Sequence, residues 1–514
     1  MKTRSFSAAL LLLHGARANA ASGGRQEIEW GACTEFNSTE PIQCANLTVP
    51  LDYTSPNSSK TLDLQLLRIP ATRQPSKGSI LFNFGGPGIA GRSTMAAAGA
   101  GEVYRNATSE YHDLVTFDPR GTGNTIPFSC FKDQDEIDDY VLRTPKAWAI
   151  MTPPNFSSNS SDVTPGRLWA STKLLVDKCY ETSKEMAGMY GTAFVVRDMM
   201  QIVDALGEDG LLRYWGHSYG TILGQTAAAM FPDRIDRMVL DGNLNGHEYY
   251  NAWDDEQWAS SDEAFSAVFQ SCVARPSTCP LAHRNQTAQE LEDATYALMN
   301  DLNARPIPFN GTWIDYNVVK EIILYALYNT VSWPALTTAL DALMSGNYTH
   351  FTQTSAKFSS SYESVGTRSD AQLQIRCGDK IARIDTLDEF LPIMERQERG
   401  SKIFGDIQTT MEMMCAQWRL NAKERYAGDF AVKTRHPVMF IGNTADALGP
   451  LVSAKNMSVA FEGSRVLQVD GYGHGSVGTS NCAAMATADY YVNGTLPEEG
   501  AFCELDDPIL EKVE

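Results

Sequence analysis

Basic residues are in short supply in this chain of 514 residues. Lys and Arg number 42 against 62 Asp and Glu, a net charge of −20. So acidic a chain, with no basic stripe, repels phosphate backbones and anionic lipid surfaces, which argues against nucleic-acid binding and membrane attachment. Beyond the first twenty residues no run approaches the roughly 20 apolar residues that a membrane span needs. There is no Cys-x-x-Cys pair and no Cys/His cluster at zinc-ligand spacing, so neither a metal nor an organic cofactor is expected. No internal repeat is visible.

What is present is globular composition, 43% hydrophobic and 10% aromatic, with material for a large core. The first twenty residues read as a secretory signal. Lys2 and Arg4 form the charged start, Phe6 to Leu13 the short apolar stretch, and Ala18-Asn19-Ala20 the small-x-small cleavage site. Two further features agree with export. Ten cysteines follow that site, and an even number in an exported chain predicts disulfides. Sequential pairing is the simplest of the possible wirings: Cys33 with Cys44, Cys130 with Cys179, Cys272 with Cys279, Cys377 with Cys415, and Cys482 with Cys503. Asn-x-Ser/Thr sequons stand at Asn37, Asn46, Asn57, Asn106, Asn155, Asn159, Asn285, Asn310, Asn347, Asn456 and Asn493. So many together predict a secreted glycoprotein.

The periodicities predict an α/β fold with a mostly parallel sheet and a helical insertion. Extended segments lie between Ile42 and Leu66. "GSILFNFGGPG" and "DLVTFDPRGTG" are apolar runs that end in glycine-rich loops, as buried parallel strands do. Thr152 to Ser161 is polar enough for a surface loop. Then come a helix at Ala193 to Leu206, a strand at "LLRYWGHS", a helix at "TILGQTAAAMF" and a strand ending at Asp241. This alternation predicts a doubly wound sheet. From about 249 to 430 the pattern is mostly helical, and strand signals return at His436 to Asn443 and Ser464 to Ser476. The expected division is a signal at 1–20, a first core part at 21–248, a helical cap at 249–430 and a final core part at 431–514. Such a cap would lie over the C-terminal strand ends, where α/β sheets bind ligands.

"RYWGHSYGTILG", Arg213 to Gly224, places a serine between two glycines at a strand-to-helix junction. Gly-x-Ser-x-Gly in that setting is the nucleophile elbow of the α/β-hydrolases, so Ser218 is the candidate nucleophile. It needs a base, an acid to orient the base, and donors for an oxyanion, in the chain order Ser, Asp or Glu, His. Of eight histidines, only His474 stands in a glycine-rich turn, "DGYGHGS", after a late strand. His217 belongs to the elbow, and its side chain is expected to point away from Ser218. Asp446, after the preceding strand, is the candidate acid, with Asp241 the alternative. The oxyanion donors are expected from the Tyr219 amide and from "NFGGPG", where Gly86 is preferred over Gly85. The stretch "NAWDDEQWASSDEAF" offers Asp254, Asp255, Glu256, Asp262 and Glu263 as candidates to bind a substrate ammonium group.

Several of these motifs resemble a known family. Phe84-Gly-Gly-Pro-Gly88 is similar to the HGGPG signature of prolyl aminopeptidases, with Phe in place of His, and "FDPRGTGNT" resembles that family's Asp-x-Arg-Gly-x-Gly segment. "WGHSYGTILGQTAAAMFPDRIDRMVLDG" resembles the elbow of secreted tripeptidyl aminopeptidase-like hydrolases. The region with Cys377, Cys415, Asp446, His474, Cys482 and Cys503 resembles their C-terminal part. One departure stands at the acid, Asp446-Ala-Leu-Gly-Pro450 where the family often has Asp-Pro-Val-Thr-Pro. The resemblance implies a secreted serine aminopeptidase of tri- or prolyl type, acting on peptides without a cofactor. The altered acid loop leaves room for an esterase, or a tailoring hydrolase of secondary metabolism, with a small ester or amide substrate. The remaining alternative is a catalytically silent binding protein on the same scaffold, against which the full Ser–Asp–His set argues.

Overall fold

The structure is a computed structural model and describes residues 27–143, 163–363 and 369–506. The leader at 1–20, the polar stretch 152–161 and the sequons Asn155 and Asn159 lie outside the described residues. The strands, in chain order, are β1 (Gly31–Ala32), β2 (Gln43–Pro50), β3 (Thr61–Ile69), β4 (Ser79–Asn83), β5 (Asp113–Phe117) and β6 (Leu212–His217). They continue with β7 (Ile235–Asp241), β8 (Ile307–Phe309), β9 (Thr312–Ile314), β10 (Met439–Ala445), β11 (Arg465–Tyr472) and β12 (Phe502–Cys503).

Ten of these strands form one mixed sheet in the order β1-β2-β3-β5-β4-β6-β7-β10-β11-β12. The pairs from β1 to β5 are antiparallel and those from β5 through β12 parallel. Burial follows this change. β2 alternates exposed and buried positions, whereas every residue of β4 is buried, as expected for a strand covered on both faces. Neighbours along one strand therefore enter different cores. Tyr214 packs with the helices Thr192–Ala205 and Tyr219–Met230, while Trp215 packs with Phe82, Val239, Ile441 and Tyr491 on the other face. The result is an α/β-hydrolase fold with an added helical insert.

The insert interrupts the sheet between β7 and β10, and its helices run from Ser261–Ala274 to Gly405–Gln417. The small hairpin β8–β9 lies within this mostly helical insert. The insert has its own apolar core around Phe265, Trp333 and Leu340, and Ala445 at the end of β10 joins that core with Ala447 and Leu448 of the loop that follows. One departure concerns the segment after β5. Phe128, Cys130, Leu175 and Cys179 pack with Leu373, Cys377 and Cys415 of the insert. Part of what the sequence assigned to the first core half is thus packed with the inserted helices.

The "FDPRGTG" segment is explained by burial. Arg120 is fully enclosed, grips Asp198 through Nε and Nη2 at 2.6 and 2.9 Å, and donates to the carbonyls of Pro50 and Leu51. This ion pair fastens the helix Thr192–Ala205 to the β5 end and the β2–β3 hairpin. All ten cysteines are paired, in the sequential order. The nine sequon asparagines among the described residues are all solvent-exposed. No described helix is long and apolar enough to cross a membrane.

Candidate active site

Ser218 occupies the turn between β6 and the helix Tyr219–Met230 at φ 57°, ψ −127°, a conformation that non-glycine residues rarely adopt. Its flanking glycines are sterically required. A Cβ on Gly216 would lie 2.2 Å from the Gly220 carbonyl oxygen, and one on Gly220 would lie 2.5 Å from the Asn83 carbonyl oxygen. The turn is held by the Ser218 N–H donating to Asp241 O at 3.0 Å and by Tyr214 Oη donating to Gly220 O at 2.7 Å.

His474 follows β11. Its Nδ1 lies 3.0 Å from both carboxylate oxygens of Asp446. Asp446 is buried and also accepts from the Leu448, Gly449 and Gly475 amides at 2.9, 2.8 and 3.0 Å. Three backbone donors hold the carboxylate in place where it faces the imidazole. Burial pushes His474 down, but the Asp446 charge and hydrogen bond outweigh it, so the imidazole titrates above the ordinary histidine value. Its Nε2 is buried and has no hydrogen-bond partner among the described residues. The Ala447 and Leu448 side chains anchor the acid loop in the insert's core, which gives the departure from the family signature a packing role.

Asp241, the alternative acid, faces elsewhere. It accepts from the Ser476 N–H at 3.1 Å and from Ser476 Oγ at 2.8 Å, holding the turn just past His474. Its burial raises it to about 6. His217, whose side chain is expected to point away from Ser218, stands with its ring beside that of His474. It lines the same cavity as Ser218 and His474, and its Nε2 is 3.1 Å from His474 O. Gly475 makes room for the His217 ring, since a Cβ there would lie 2.1 Å from His217 Nε2. Burial, aided by the His474 charge, lowers His217 to about 4, so its ring is neutral near pH 7.

The glycine loop after β4 brings Gly86 to the cavity at φ 104°. The Gly85 amide already donates to Asn83 Oδ1 at 3.0 Å, which favours Gly86 over Gly85 as a donor to substrate. Gly85 is confined for another reason: a Cβ on it would meet Ser218 Cβ at 2.7 Å.

The cavity measures about 470 Å³ and its wall is rich in aromatic rings, Phe84, Tyr104, Tyr325, Tyr328 and Phe358. Three of these come from the insert, which sequence reasoning did not single out. Tyr328 is the closest link, accepting the His474 N–H at 2.8 Å through its carbonyl. No carboxylate stands among the described lining residues.

The acidic stretch is a correction to the sequence reading, because none of its five members lines this cavity. Asp254 is buried in ion pairs with Arg376 at 2.8 Å and Lys380 at 2.9 Å. Asp255 pairs with Arg396 at 2.8 Å, and Glu256 accepts from Ser453 and Asn456 at 2.6 and 2.5 Å. Asp262 accepts the Lys402 and Ile403 amides, each at 2.9 Å, and Glu263 lies on an exposed helix face. Partners more than 100 residues away claim most of these charges, a distance over which local composition is silent. Among the described residues no group of three or more His, Cys, Asp or Glu side chains is arranged to hold a metal ion.

Residues 401–503, which include Asp446 and His474, match the family model described as TAP-like protein. Over 497 residues the chain is 28% identical to a tripeptidyl aminopeptidase of Streptomyces lividans, covering 93% of this chain and 86% of that one. It is 28% identical over 499 residues to serine protease Hip1 of Mycobacterium tuberculosis (strain ATCC 25618 / H37Rv), covering 93% and 91%. It is also 28% identical over 498 residues to carboxylesterase B of Mycobacterium tuberculosis (strain CDC 1551 / Oshkosh), covering 92% and 89%.

Proposed function

We propose that the chain is a serine hydrolase of the TAP-like family of α/β-hydrolases and that it cleaves acyl bonds through a covalent intermediate on Ser218. The observation that carries this reading is the buried Asp446–His474 pair opening onto the same cavity as the elbow serine. His474 Nε2 takes the Ser218 proton as Oγ attacks the substrate carbonyl carbon. Asp446 holds the imidazole in the required tautomer and stabilises its charge. The Gly86 and Tyr219 amides receive the developing oxyanion. Collapse of the tetrahedral species expels the amine or alcohol, protonated by His474. A water activated by the same imidazole then hydrolyses the acyl-enzyme.

For the substrate, the first reading is a peptide bond near a free N-terminus, supported by relatives named as tripeptidyl aminopeptidase and serine protease. A second reading, an uncharged ester, is favoured by the aromatic wall and by the lack of a carboxylate among the described lining residues. Residues 249–430 act as the cap that closes the cavity. Five disulfides suit an oxidising, extracytoplasmic compartment, and the leader at 1–20 would deliver the chain there.

A fluorophosphonate is expected to label Ser218 and no other residue, and labelling elsewhere displaces the assignment. Tripeptidyl amides with free and acetylated N-termini, run beside p-nitrophenyl esters, separate the two substrate readings. Faster turnover of free-amine peptides selects the aminopeptidase, and equal rates with faster ester cleavage select the esterase.

A further inference from the structure

The two proposed oxyanion donors lie on separate loops of the core, one after β4 and one after β6. Gly86 sits at φ 104°, in a region that glycine enters freely and that the backbone itself does not enforce. Tyr219 is the first residue of its helix, so its amide has no acceptor within the helix. The two loops touch, since a Cβ on Gly85 would lie 2.7 Å from Ser218 Cβ and 3.0 Å from the Tyr219 nitrogen, and a third element braces both.

One helix of the insert, Ser369–Asp379, touches both. Gln372 lines the cavity and donates from Nε2 to Gly86 O at 3.2 Å. With the Gly85 amide bound to Asn83 Oδ1, the peptide that carries the Gly86 donor is held on both sides. Seven residues on, Asp379 Oδ2 accepts from Thr192 Oγ1 at 2.6 Å, and Thr192 Oγ1 is 2.6 Å from Tyr219 Oη. Since the threonine hydroxyl gives its one proton to the carboxylate, it must accept from the tyrosine. The chain therefore runs from Tyr219 Oη through Thr192 to Asp379. The carboxylate also accepts the Thr192 N–H at 3.1 and 3.2 Å and the Tyr249 hydroxyl at 3.1 Å. Positions seven apart share one helix face, so a single rigid element can serve both loops.

That element is itself well fastened. Asp370 accepts the Cys130 amide at 2.8 Å, Gln374 donates to the Ala187 and Leu420 carbonyls, and Cys377 is bonded to Cys415. Asp379 is wholly buried, and burial raises its carboxyl to about 6 against the opposing bonds from Thr192 and Tyr249.

We propose that the inserted helix Ser369–Asp379 sets the geometry of the oxyanion hole, with Gln372 positioning Gly86 and Asp379 positioning Tyr219 through Thr192. The proposal rests on the Ser218 reading above. Gln372, Thr192 and Asp379 are positioning residues, because they act on the donors rather than on the reacting atoms. It follows that the insert takes part in building the site as well as covering it.

The test uses the full-length protein with p-nitrophenyl butyrate as substrate and phenylboronic acid as a tetrahedral mimic. Direct loss of an oxyanion donor costs about 10²–10³ in kcat, so misplacing one is expected to cost about tenfold. Thr192→Val, Tyr219→Phe and Asp379→Asn preserve volume, and Gln372→Ala changes a half-buried side chain at the cavity wall. Each should lower kcat about tenfold with KM within about twofold, and weaken phenylboronic acid by the same factor. Thr192→Ser should restore kcat to within about twofold. The Thr192→Val/Tyr219→Phe pair should be no worse than either single change, since both break one chain. Wild-type kcat in the folded variants, or losses confined to KM with boronate affinity intact, overturns the proposal. If the buried variants do not fold, Gln372→Ala alone decides by the same criteria. A wild-type protein that takes no fluorophosphonate at Ser218 removes the serine-hydrolase reading itself; a labelled wild type with unaffected variants removes only the role of the helix.

Discussion

Ser218 carries both the chemistry and the strain of the elbow. Its φ of 57° costs a residue with a Cβ about 1–3 kcal/mol, a cost that alanine shares and glycine escapes. Glycine loses more backbone entropy on folding, about 0.5–1 kcal/mol, which offsets part of the relief. Ser218→Gly should therefore be more stable than Ser218→Ala by about 1 kcal/mol, read from urea midpoints, with both variants inactive. Equal midpoints would show that the turn is unstrained. His474 gives the second residue-level expectation. The base must be neutral, so kcat/KM should rise with pH through an apparent pKa above the ordinary 6.5. Asp446→Asn removes the charge that outweighs burial. The limb should then move below 6.5 while the plateau falls by about 10⁴, the loss expected when a triad acid no longer holds the tautomer. The sign for stability follows from the same shift. A histidine raised in the fold contributes stability that is full below its unfolded pKa and is lost as pH rises through the folded one. An unmoved acid limb in Asp446→Asn would assign that limb to another group.

The elbow was legible in the sequence because its constraints span five residues. Gly216 and Gly220 exclude any Cβ through contacts with Gly220 O and Asn83 O, so Gly220→Ala should disturb β4 as well as the serine. Overpacking of this kind costs about 1–3 kcal/mol, and both Tm and kcat are expected to fall. His474 was legible from chain order, because one histidine alone occupies a glycine-rich turn after a late strand. The acidic stretch was misleading for the opposite reason. Its composition is local, but its partners Arg376, Lys380, Arg396 and Lys402 are distant in sequence and near only in the fold. Gln372 and Asp379 were invisible on the same ground, as two polar residues in an ordinary helix. A sharp contrast follows. Asp254→Asn leaves Arg376 and Lys380 short of a buried counter-charge and should cost about 3–5 kcal/mol, whereas exposed Glu263→Gln should fall within about 0.5 kcal/mol of wild type. Thermal unfolding of the two variants measures this. A stable Asp254→Asn with impaired binding of free-amine peptides would instead return that residue to substrate recognition.

Across the whole molecule the net charge of −20 creates a long-range field that attracts any cationic substrate, whatever lines the cavity. This matters for the choice between peptidase and esterase, because a preference for free N-termini has two physical origins. A carboxylate touching the ammonium acts at contact range and survives salt. A diffuse field acts over a Debye length, about 30 Å at 0.01 M and about 3 Å at 1 M, and is screened away. The described cavity wall is rich in aromatic rings and carries no carboxylate, and the acidic stretch is engaged elsewhere or faces solvent. The field is therefore the expected origin. The ratio of kcat/KM for a free tripeptidyl amide to that for its acetylated form should fall toward one as NaCl rises from about 0.01 to about 1 M. Rates on a neutral p-nitrophenyl ester serve as the control for general salt effects and should change far less. A ratio that stays high in salt requires a carboxylate in contact with the substrate ammonium, which would make this a dedicated aminopeptidase with a recognition site beyond the described wall.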